Sequence, residues 1–332
     1  MSMTFTERLC RPEPIIYDGG FGTELFERGV ELTNSSMACN SHPEAVLDIH
    51  STYLAAGAEL IHTNTFVASP LHLAMADAGA DTSQIAAKAV QLAKQAVAAS
   101  DAPAWIAGSM GPSPGAIETD SGDTVFGIPD AKVRDAHTQV ASALAAEGVD
   151  VLLIETMFSA KEAALAVDVA RHYGLPIALN LTYKYTKDRK SGEIIYRTDW
   201  GHSAADLLEI LASGEMSNGD NLLDAVDIFG LNCGAEQSRT EHTGMPYAVT
   251  GIEQLSRALQ ERGLKDKHLM AYPNAGMPAL IKGKPVYSET AEAMVTLLPE
   301  LVAAGTSIIG GCCGTTPEHI RAFSAALSDA AE

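Results

Sequence analysis

The sequence repeats one pattern eight times: a short apolar, β-branched run ending in polar or glycine residues alternates with a longer Ala-rich stretch. Apolar residues in the longer stretches recur every three or four positions, which is the spacing of a helix with one buried face. Strands that alternate with helices predict parallel pairing, and eight such units predict an α/β fold of the closed (β/α)8, or TIM, barrel type. The strand-like runs are 15–20, 59–66, 104–110, 149–157, 176–183, 226–233, 268–275 and 307–313.

The 332 residues exceed the roughly 250 of a typical barrel, and the excess lies in the connections after the first, third and fifth runs. No linker-like or low-complexity tract interrupts the pattern, so we expect a single domain over residues 1–332. The polar, charged segment 184–202 is expected to form a hairpin-like excursion over the barrel mouth. A doubly wound open sheet is the main rival, but the number of runs and the polar residues ending every run favour the barrel.

The charge balance excludes several classes of partner. With 42 acidic and 22 basic residues the net charge is −20, which repels phosphate backbones and anionic lipid. No apolar run reaches the roughly 20 residues of a membrane span, and the first eleven residues lack the apolar core of a signal peptide. We therefore expect a cytoplasmic protein with neither nucleic-acid nor membrane partners. The five cysteines are too few and too scattered for a disulfide framework. We therefore consider metal binding or catalysis as their function.

Three of those cysteines fall at predicted strand ends, where barrel enzymes place their chemistry. Cys233 closes the sixth run, and Cys312 and Cys313 close the eighth. Three thiolates with an open fourth position suit a catalytic zinc ion, whereas buried free thiols are the common alternative. Adjacent strand residues point to opposite faces, so Cys312 and Cys313 require a turn just past the strand, and the glycines at 310, 311 and 314 permit one. The glycine-flanked pair favours zinc; Cys10 and Cys39 are expected to be ordinary free thiols.

Several motifs give the chain a family resemblance. Residues 310–320 (GGCCGTTPEHI), 231–234 (LNCG) and 18–25 (DGGFGTEL) resemble the zinc-dependent homocysteine S-methyltransferases. Residues 57–66 (GAELIHTNTF), 108–112 (GSMGP) and 273–278 (PNAGMP) are most similar to the homocysteine-binding barrel of the cobalamin-dependent methionine synthases. The resemblance implies one zinc ion on Cys233, Cys312 and Cys313. It also implies that homocysteine binds in the mouth and that its zinc-bound thiolate takes a methyl group, giving methionine.

An amino-acid substrate needs an anion for its ammonium group and donors for its carboxylate. Glu155, at the end of the fourth run, is the expected ammonium partner and matches the recognition carboxylate of the family, with Asp18 as the second candidate. As alternatives to substrate binding, Glu155 could form a structural ion pair and Asp18 could be a cap or turn residue. We expect the substrate carboxylate to be held by backbone amides around Gly19, Gly20, Gly22 and Thr23. Side-chain hydrogen bonds are expected from Ser109 and Asn232.

The methyl donor stays open at this level. Betaine-dependent members hold their quaternary ammonium donor with aromatic side chains, and the matching positions here fall near Asn34, Val67 and Thr156. Aromatic residues close by, which keep betaine as an alternative, are Phe66, Phe158, Tyr183, Tyr185, Tyr196 and Trp200. No folate or cobalamin module is recognised after the barrel. We therefore expect the methyl group to come from a separate corrinoid protein, which is the favoured donor, or from a small sulfonium compound.

Two further hypotheses change the reaction rather than the donor. In the first, a demethylase passes methyl groups from a one-carbon substrate to another thiol or to a corrinoid. In the second, the barrel binds zinc or an amino acid without turnover. The sequence does not indicate an oligomeric state.

Overall fold

A computed structural model describes residues 3–76, 79–234, 239–281 and 284–329. Eight parallel strands form one sheet in the order β1-β12-β9-β8-β5-β4-β3-β2, and a parallel bridge between Tyr17 and Leu60 joins its two edges. The expectation of a (β/α)8 barrel is therefore confirmed. The described strands are β1 (Ile15–Ile16), β2 (Leu60–His62), β3 (Trp105–Met110), β4 (Val151–Met157), β5 (Ile177–Leu181), β6 (Lys184–Lys187), β7 (Ile194–Arg197), β8 (Ile228–Cys233), β9 (His268–Pro273), β10 (Pro278–Ile281), β11 (Lys284–Tyr287) and β12 (Thr306–Ile309).

The long helices pack around the outside of the barrel, and several begin at recognisable capping residues. Ser159 and Asp81 accept backbone N–H groups at the first turns of α9 and α6, and Pro43 begins α4. The described α-helices are α1 (Phe5–Leu9), α2 (Phe21–Glu27), α3 (Ala38–Ser41), α4 (Pro43–Ala55), α5 (Pro70–Met75), α6 (Thr82–Ala99), α7 (Glu118–Ser121), α8 (Asp130–Ala146), α9 (Ala160–Ala170), α10 (Ala204–Ser213), α11 (Gly244–Glu261), α12 (Ala291–Val295), α13 (Leu298–Ala303) and α14 (Pro317–Asp329). None of the described helices is long and apolar enough to span a bilayer.

The inside of the barrel explains why particular residues reach the mouth. Alternate strand residues point inward, and the interior cluster includes Val151 and Leu153 of β4 and Met270 of β9. Continuing the same alternation brings Glu155 and Tyr272 to the top layer of the interior. Helix α1 closes the opposite end, where Phe5 packs on Trp105 with ring centroids 6.4 Å apart.

Two hairpins extend from the mouth, and only one was predicted. Strands β6 and β7 pair antiparallel within the predicted segment 184–202. Strands β10 and β11 form a second antiparallel pair that the sequence pattern did not reveal, because its outer residues Leu280, Ile281 and Val286 are exposed and do not alternate with polar positions. The last barrel strand also ends earlier than expected, at Ile309. Cys312 and Cys313 therefore lie in the turn after β12.

Candidate metal centre and substrate pocket

Three sulfur atoms meet at the mouth of the barrel. The Sγ of Cys233 lies 3.1 Å from that of Cys312, which lies 4.0 Å from that of Cys313. All three ligand atoms fall within 4.8 Å of one another, and no other group of three such ligands occurs in the described ranges. Cys10 is exposed and Cys39 is buried, and neither belongs to this cluster.

The main chain beyond the strand ends positions these thiols. The amide of Cys312 donates to the carbonyl of Pro273 over 2.8 Å, and the amide of Ala275 donates to the carbonyl of Cys313 over 3.0 Å. Cys233, the last residue of β8, has a positive φ of 55° that turns its side chain out of the strand alternation. These irregular ends allow residues from β8 and from the turn after β12 to face one point.

The donor set fits a zinc ion. Tetrahedral zinc at about 2.3 Å from each sulfur separates its thiolates by roughly 3.8 Å, close to the spacings found here. Hydrogen bonds from Cys233 and Cys312 hold the pKa of the Cys313 thiol well below its usual range, whereas the same contacts and burial raise the pKa of Cys312. Three thiolates this close together repel one another, and a bound cation would compensate that repulsion. Nearby, the buried Oδ1 of Asn274 has no hydrogen-bond partner in the described structure, leaving an oxygen acceptor unused.

A cavity of about 180 Å³ opens directly above the sulfur atoms. This volume is smaller than the roughly 300 Å³ at which drug-sized pockets begin, so it suits a small metabolite such as an amino acid. Seven predicted site residues line it: Gly19, Gly20, Gly22, Glu155, Cys233, Cys312 and Cys313. The other four predicted residues, Asp18, Thr23, Ser109 and Asn232, do not contribute to its wall.

Glu155 is the one acidic residue in this cavity wall. It is only 5% exposed, and burial raises the pKa of its carboxyl group, although two hydrogen bonds oppose that rise. The hydroxyl of Ser109 donates to Oε1, and the hydroxyl of Tyr272 donates to Oε2 over 3.1 Å. Ser109 thus contacts the glutamate from behind the wall, and these donors hold the carboxylate in a fixed orientation.

Asp18 lies behind the wall and is bound by His62. The ring Nδ1 of His62 is 2.7 Å from Oδ1 of Asp18, and the His62 amide donates to Oδ2 over 2.9 Å. Burial disfavours the charged imidazole, but attraction to Asp18 outweighs it and raises the pKa of His62 to about 8. The side chain that reaches the cavity is therefore His62, which the sequence analysis did not include among its candidates.

The glycine-rich turn after β1 is tied to the cysteine turn. The amide of Gly20 donates to both the carbonyl and the hydroxyl of Thr315, so this predicted carboxylate donor is already engaged. The hydroxyl of Thr23 donates to the Gly20 carbonyl over 3.0 Å and accepts the Gly314 amide over 3.3 Å. Thr23 links the two turns, and Gly19 and Gly22 remain the predicted donors at the cavity wall.

Asn232 supports a strained residue of the wall. Its Oδ1 accepts the Thr156 amide over 2.9 Å, and its Nδ2 donates to the Thr156 hydroxyl over 2.6 Å. Thr156 has a positive φ of 57°, at an irregularity in the pairing of β4 with β5. The same Nδ2 also donates to Sγ of Cys312 over 3.9 Å, so Asn232 contacts the cysteine cluster directly and also supports Thr156.

The sequence analysis missed several residues of the wall. Tyr17 and Tyr272 continue the inward alternation of their strands, a pattern that could have identified them. Strand alternation did not identify Phe21 or Phe66, which follow the ends of β1 and β2, or Thr156, which lies at the irregularity near the end of β4. Phe66 and Thr156 were considered only in connection with the methyl donor. They enter the wall through the irregular turns.

Comparisons with known proteins agree with this geometry. The family model for homocysteine S-methyltransferases matches residues 15–327. Methionine synthases of Mycobacterium leprae and Mycobacterium tuberculosis are each 28% identical over 95% of this chain, which spans only 24% and 25% of their lengths. Solved structures of the Escherichia coli homocysteine methyltransferase MmuM share the fold: the metallated form has a TM-score of 0.68 at 24% identity, covering 94% of this chain and 96% of that one. Its oxidized form has a TM-score of 0.69, also at 24% identity, and covers 95% and 96%.

Proposed function

Because this chain belongs to the homocysteine S-methyltransferase family, we propose that it transfers a methyl group to the sulfur of homocysteine, forming methionine, with zinc on Cys233, Cys312 and Cys313. One observation carries this proposal: one thiol at the end of β8 and two in the turn after β12 converge under a small cavity whose wall also contains a buried carboxylate. A cation at the thiols and an anion in the wall suit a substrate with a thiol at one end and an ammonium group at the other.

Zinc, when bound, supplies a Lewis acid that lowers the pKa of a coordinated thiol from its usual value of about 8.5 and keeps it as a nucleophilic thiolate. The protein's residues then orient the substrate. Glu155, with its oxygens held by Ser109 and Tyr272, receives the ammonium group. The amides at Gly19 and Gly22 and the imidazole of His62, which Asp18 favours in its charged form, receive the carboxylate.

Methyl transfer is a displacement at carbon. The sulfur of homocysteine contributes the electron pair for the new C–S bond, and the bonding pair of the broken bond leaves with the donor. No residue has to protonate the sulfur during this step.

Two classes of methyl donor are compatible with this function. A methyl-corrinoid carried by a separate protein is supported by the similarity to methionine synthases, of which this chain spans about a quarter. A small sulfonium compound is the alternative and needs no partner protein. We further propose a cytoplasmic location, where a reducing environment would keep the cluster thiols free for metal.

The test is a combined metal, binding and turnover assay on the full chain. We expect about one zinc per chain, homocysteine binding by calorimetry, and methionine formation, read by mass, from at least one donor in a panel. Glu155→Gln should weaken homocysteine binding at least tenfold while zinc content stays unchanged, because the ammonium group loses its counter-charge. Cys313→Ser should lose the zinc.

The matched control is Glu44→Gln, which changes an exposed carboxylate on α4 that does not line the cavity. It should leave zinc content, binding and turnover as in the wild type. If the zinc-loaded protein neither binds homocysteine nor produces methionine from any donor, the proposed function is wrong.

A further inference from the structure

One deeply buried tyrosine has a hydroxyl that the fold does not use. Of the described tyrosines, four are less than 2% exposed: Tyr17, Tyr53, Tyr247 and Tyr272. Tyr53 and Tyr247 donate to backbone carbonyls over 3.1 and 3.3 Å. Tyr272 donates to Oε2 of Glu155 over 3.1 Å. The hydroxyl of Tyr17 has no hydrogen-bond partner in the described ranges, although a buried tyrosine hydroxyl usually finds one.

Tyr17 lies in the wall of the substrate cavity. It directly follows β1 and lines the same cavity as Glu155. Its ring centroid lies 4.8 Å from that of Tyr272 and 5.6 Å from that of the His62 imidazole. Behind it, a Cβ atom added at Gly310 would lie only 2.7 Å from the Cβ of Tyr17. The ring is thus packed from several sides, and the unused hydroxyl keeps a fixed place in the site.

The charges around this hydroxyl favour a cation as its partner. Burial raises the pKa of Tyr17, and the carboxylates of Glu155 and Asp18 and the thiol group of Cys312 raise it further. The nearby imidazole of His62 is already paired with Asp18 over 2.7 Å. A negative potential at an uncharged oxygen attracts a cationic hydrogen-bond donor and repels a carboxylate. An ammonium group therefore fits this position.

Glu155 alone does not provide enough acceptors for an enclosed ammonium group. Such a group has three N–H donors, whereas a carboxylate has about four lone-pair positions. Two of the positions on Glu155 already accept hydrogen bonds, from Ser109 and Tyr272. The remaining two leave one N–H without an acceptor, and a buried donor without an acceptor is costly. The oxygen of Tyr17 lies in the same wall and can accept it.

We propose that the Tyr17 hydroxyl is a second binding group for the ammonium end of the substrate, acting beside Glu155, and that it makes the site selective for thiols with a free amino group. The proposal rests on the function proposed above. A thiol without an ammonium group gains nothing from Tyr17, because the hydroxyl then stays without a partner. An N-acylated thiol, which offers one amide N–H in place of three donors, should bind poorly for the same reason.

The experiment compares three thiols by calorimetry on the zinc-loaded full chain, in the wild type and in Tyr17→Phe. The probes are homocysteine, 3-mercaptopropylamine, which lacks the carboxylate, and 4-mercaptobutyrate, which lacks the ammonium group. Tyr17→Phe should weaken binding of the first two about tenfold, because a hydrogen bond to a charged group is lost. Binding of 4-mercaptobutyrate and the zinc content should not change.

Tyr173→Phe is the matched control. It removes a tyrosine hydroxyl that donates to the carbonyl of Thr138 over 3.4 Å and does not line the cavity. All three affinities should stay as in the wild type. Without ligand, Tyr17→Phe should melt no lower than the wild type, because it removes a buried hydroxyl that has no partner.

The outcomes separate this inference from the proposed function. Equal losses of affinity for all three thiols, or a Tyr17→Phe protein that melts well below the wild type, would give Tyr17 a structural role and overturn the inference. Unchanged homocysteine affinity in Tyr17→Phe would also overturn it, while methionine formation would leave the function standing. A wild type that neither binds homocysteine nor forms methionine from any donor would remove both proposals.

Discussion

Individual residues at this site occupy backbone conformations that most side chains avoid. Cys233 and Thr156 have φ values of 55° and 57°, and among described non-glycine residues only Asn218 shares this sign. Each such conformation costs on the order of 1 kcal/mol or more and persists only where neighbours enforce it. Asn232 holds Thr156 in this conformation, because its side chain accepts a hydrogen bond from the Thr156 amide and donates one to the Thr156 hydroxyl. Two of these three residues, Cys233 and Thr156, thus lie at the mouth of the barrel. Their strained backbone indicates that the shape of the site is maintained at a cost in folding stability.

The His62–Asp18 pair predicts a pH dependence of stability. Attraction to Asp18 raises the pKa of His62 to about 8 in spite of burial, above an unfolded value of roughly 6.5. The stability contributed by the charged imidazole is therefore complete below about pH 6.5 and is lost as pH rises through about 8, a change of roughly 2 kcal/mol. Burial raises the pKa of Asp18 as well, and this acts in the same direction.

The measurement compares urea unfolding of the wild type and His62→Gln from pH 6 to 9. The difference in unfolding free energy should be largest at pH 6 and shrink towards pH 9. A difference that is constant with pH, or that grows as pH rises, would contradict the assignment of charge to His62.

At the scale of elements, the β10–β11 hairpin supports the cysteine turn. The ring of Tyr287 in β11 packs over Gly314, whose φ is +81°. A Cβ atom added at residue 314 would lie only 2.1 Å from that ring. Any side chain at residue 314 must displace either the hairpin or the turn that contains Cys313. The hairpin is thus coupled to the cysteine cluster by this close contact and by a side-chain hydrogen bond between Tyr287 and Cys313.

This contact predicts that Gly314→Ala lowers zinc affinity at least tenfold, because the turn must move and take Cys313 with it. Gly122→Ala is the matched control: its φ is +84°, but no atom lies within 4 Å of the added Cβ. Both substitutions should cost about 1 kcal/mol of backbone strain. Only Gly314→Ala should change zinc competition against a chromogenic chelator, and equal affinities in the two variants would refute the coupling.

At the scale of the whole molecule, the cysteine cluster proposed to bind zinc connects distant parts of the chain. Cys233 and Cys312 are 79 residues apart in sequence and 3.1 Å apart at their sulfur atoms. An ion bound to both stabilises the closed barrel relative to the unfolded chain, by roughly 3 kcal/mol when free zinc exceeds its Kd a hundredfold. Chelation should therefore lower the melting temperature of the wild type by several degrees.

Two variants test whether that shift belongs to the cluster. Cys313→Ala should melt near the chelated wild type and should not respond to chelator. Cys10→Ser, which changes an exposed thiol outside the cluster, should keep the full shift. A wild type that melts at the same temperature with and without chelator would exclude a structural contribution from zinc.

Much of the fold follows directly from the sequence. The eightfold alternation predicted the barrel, because buried parallel strands need apolar runs and their covering helices need a period near 3.6. The approximate strand ends followed too, and with them the candidates Glu155 and Cys233. The β10–β11 hairpin and the early end of β12 did not follow, since short exposed strands and turns leave no periodic pattern.

By itself, the sequence determined the barrel and the set of polar residues at its mouth, because hydrophobic periodicity is a local property of the chain. Only the tertiary structure decided which of those residues face the cavity: His62 lines it and Asp18 lies behind it. Asn232 contacts both Thr156 and Cys312 from behind the wall. The tertiary structure also placed Cys233 in the wall of a neighbouring cavity of about 240 Å³. The physical reason is that these relationships depend on irregular backbone beyond the strand ends, whose path is set by packing between segments far apart in sequence.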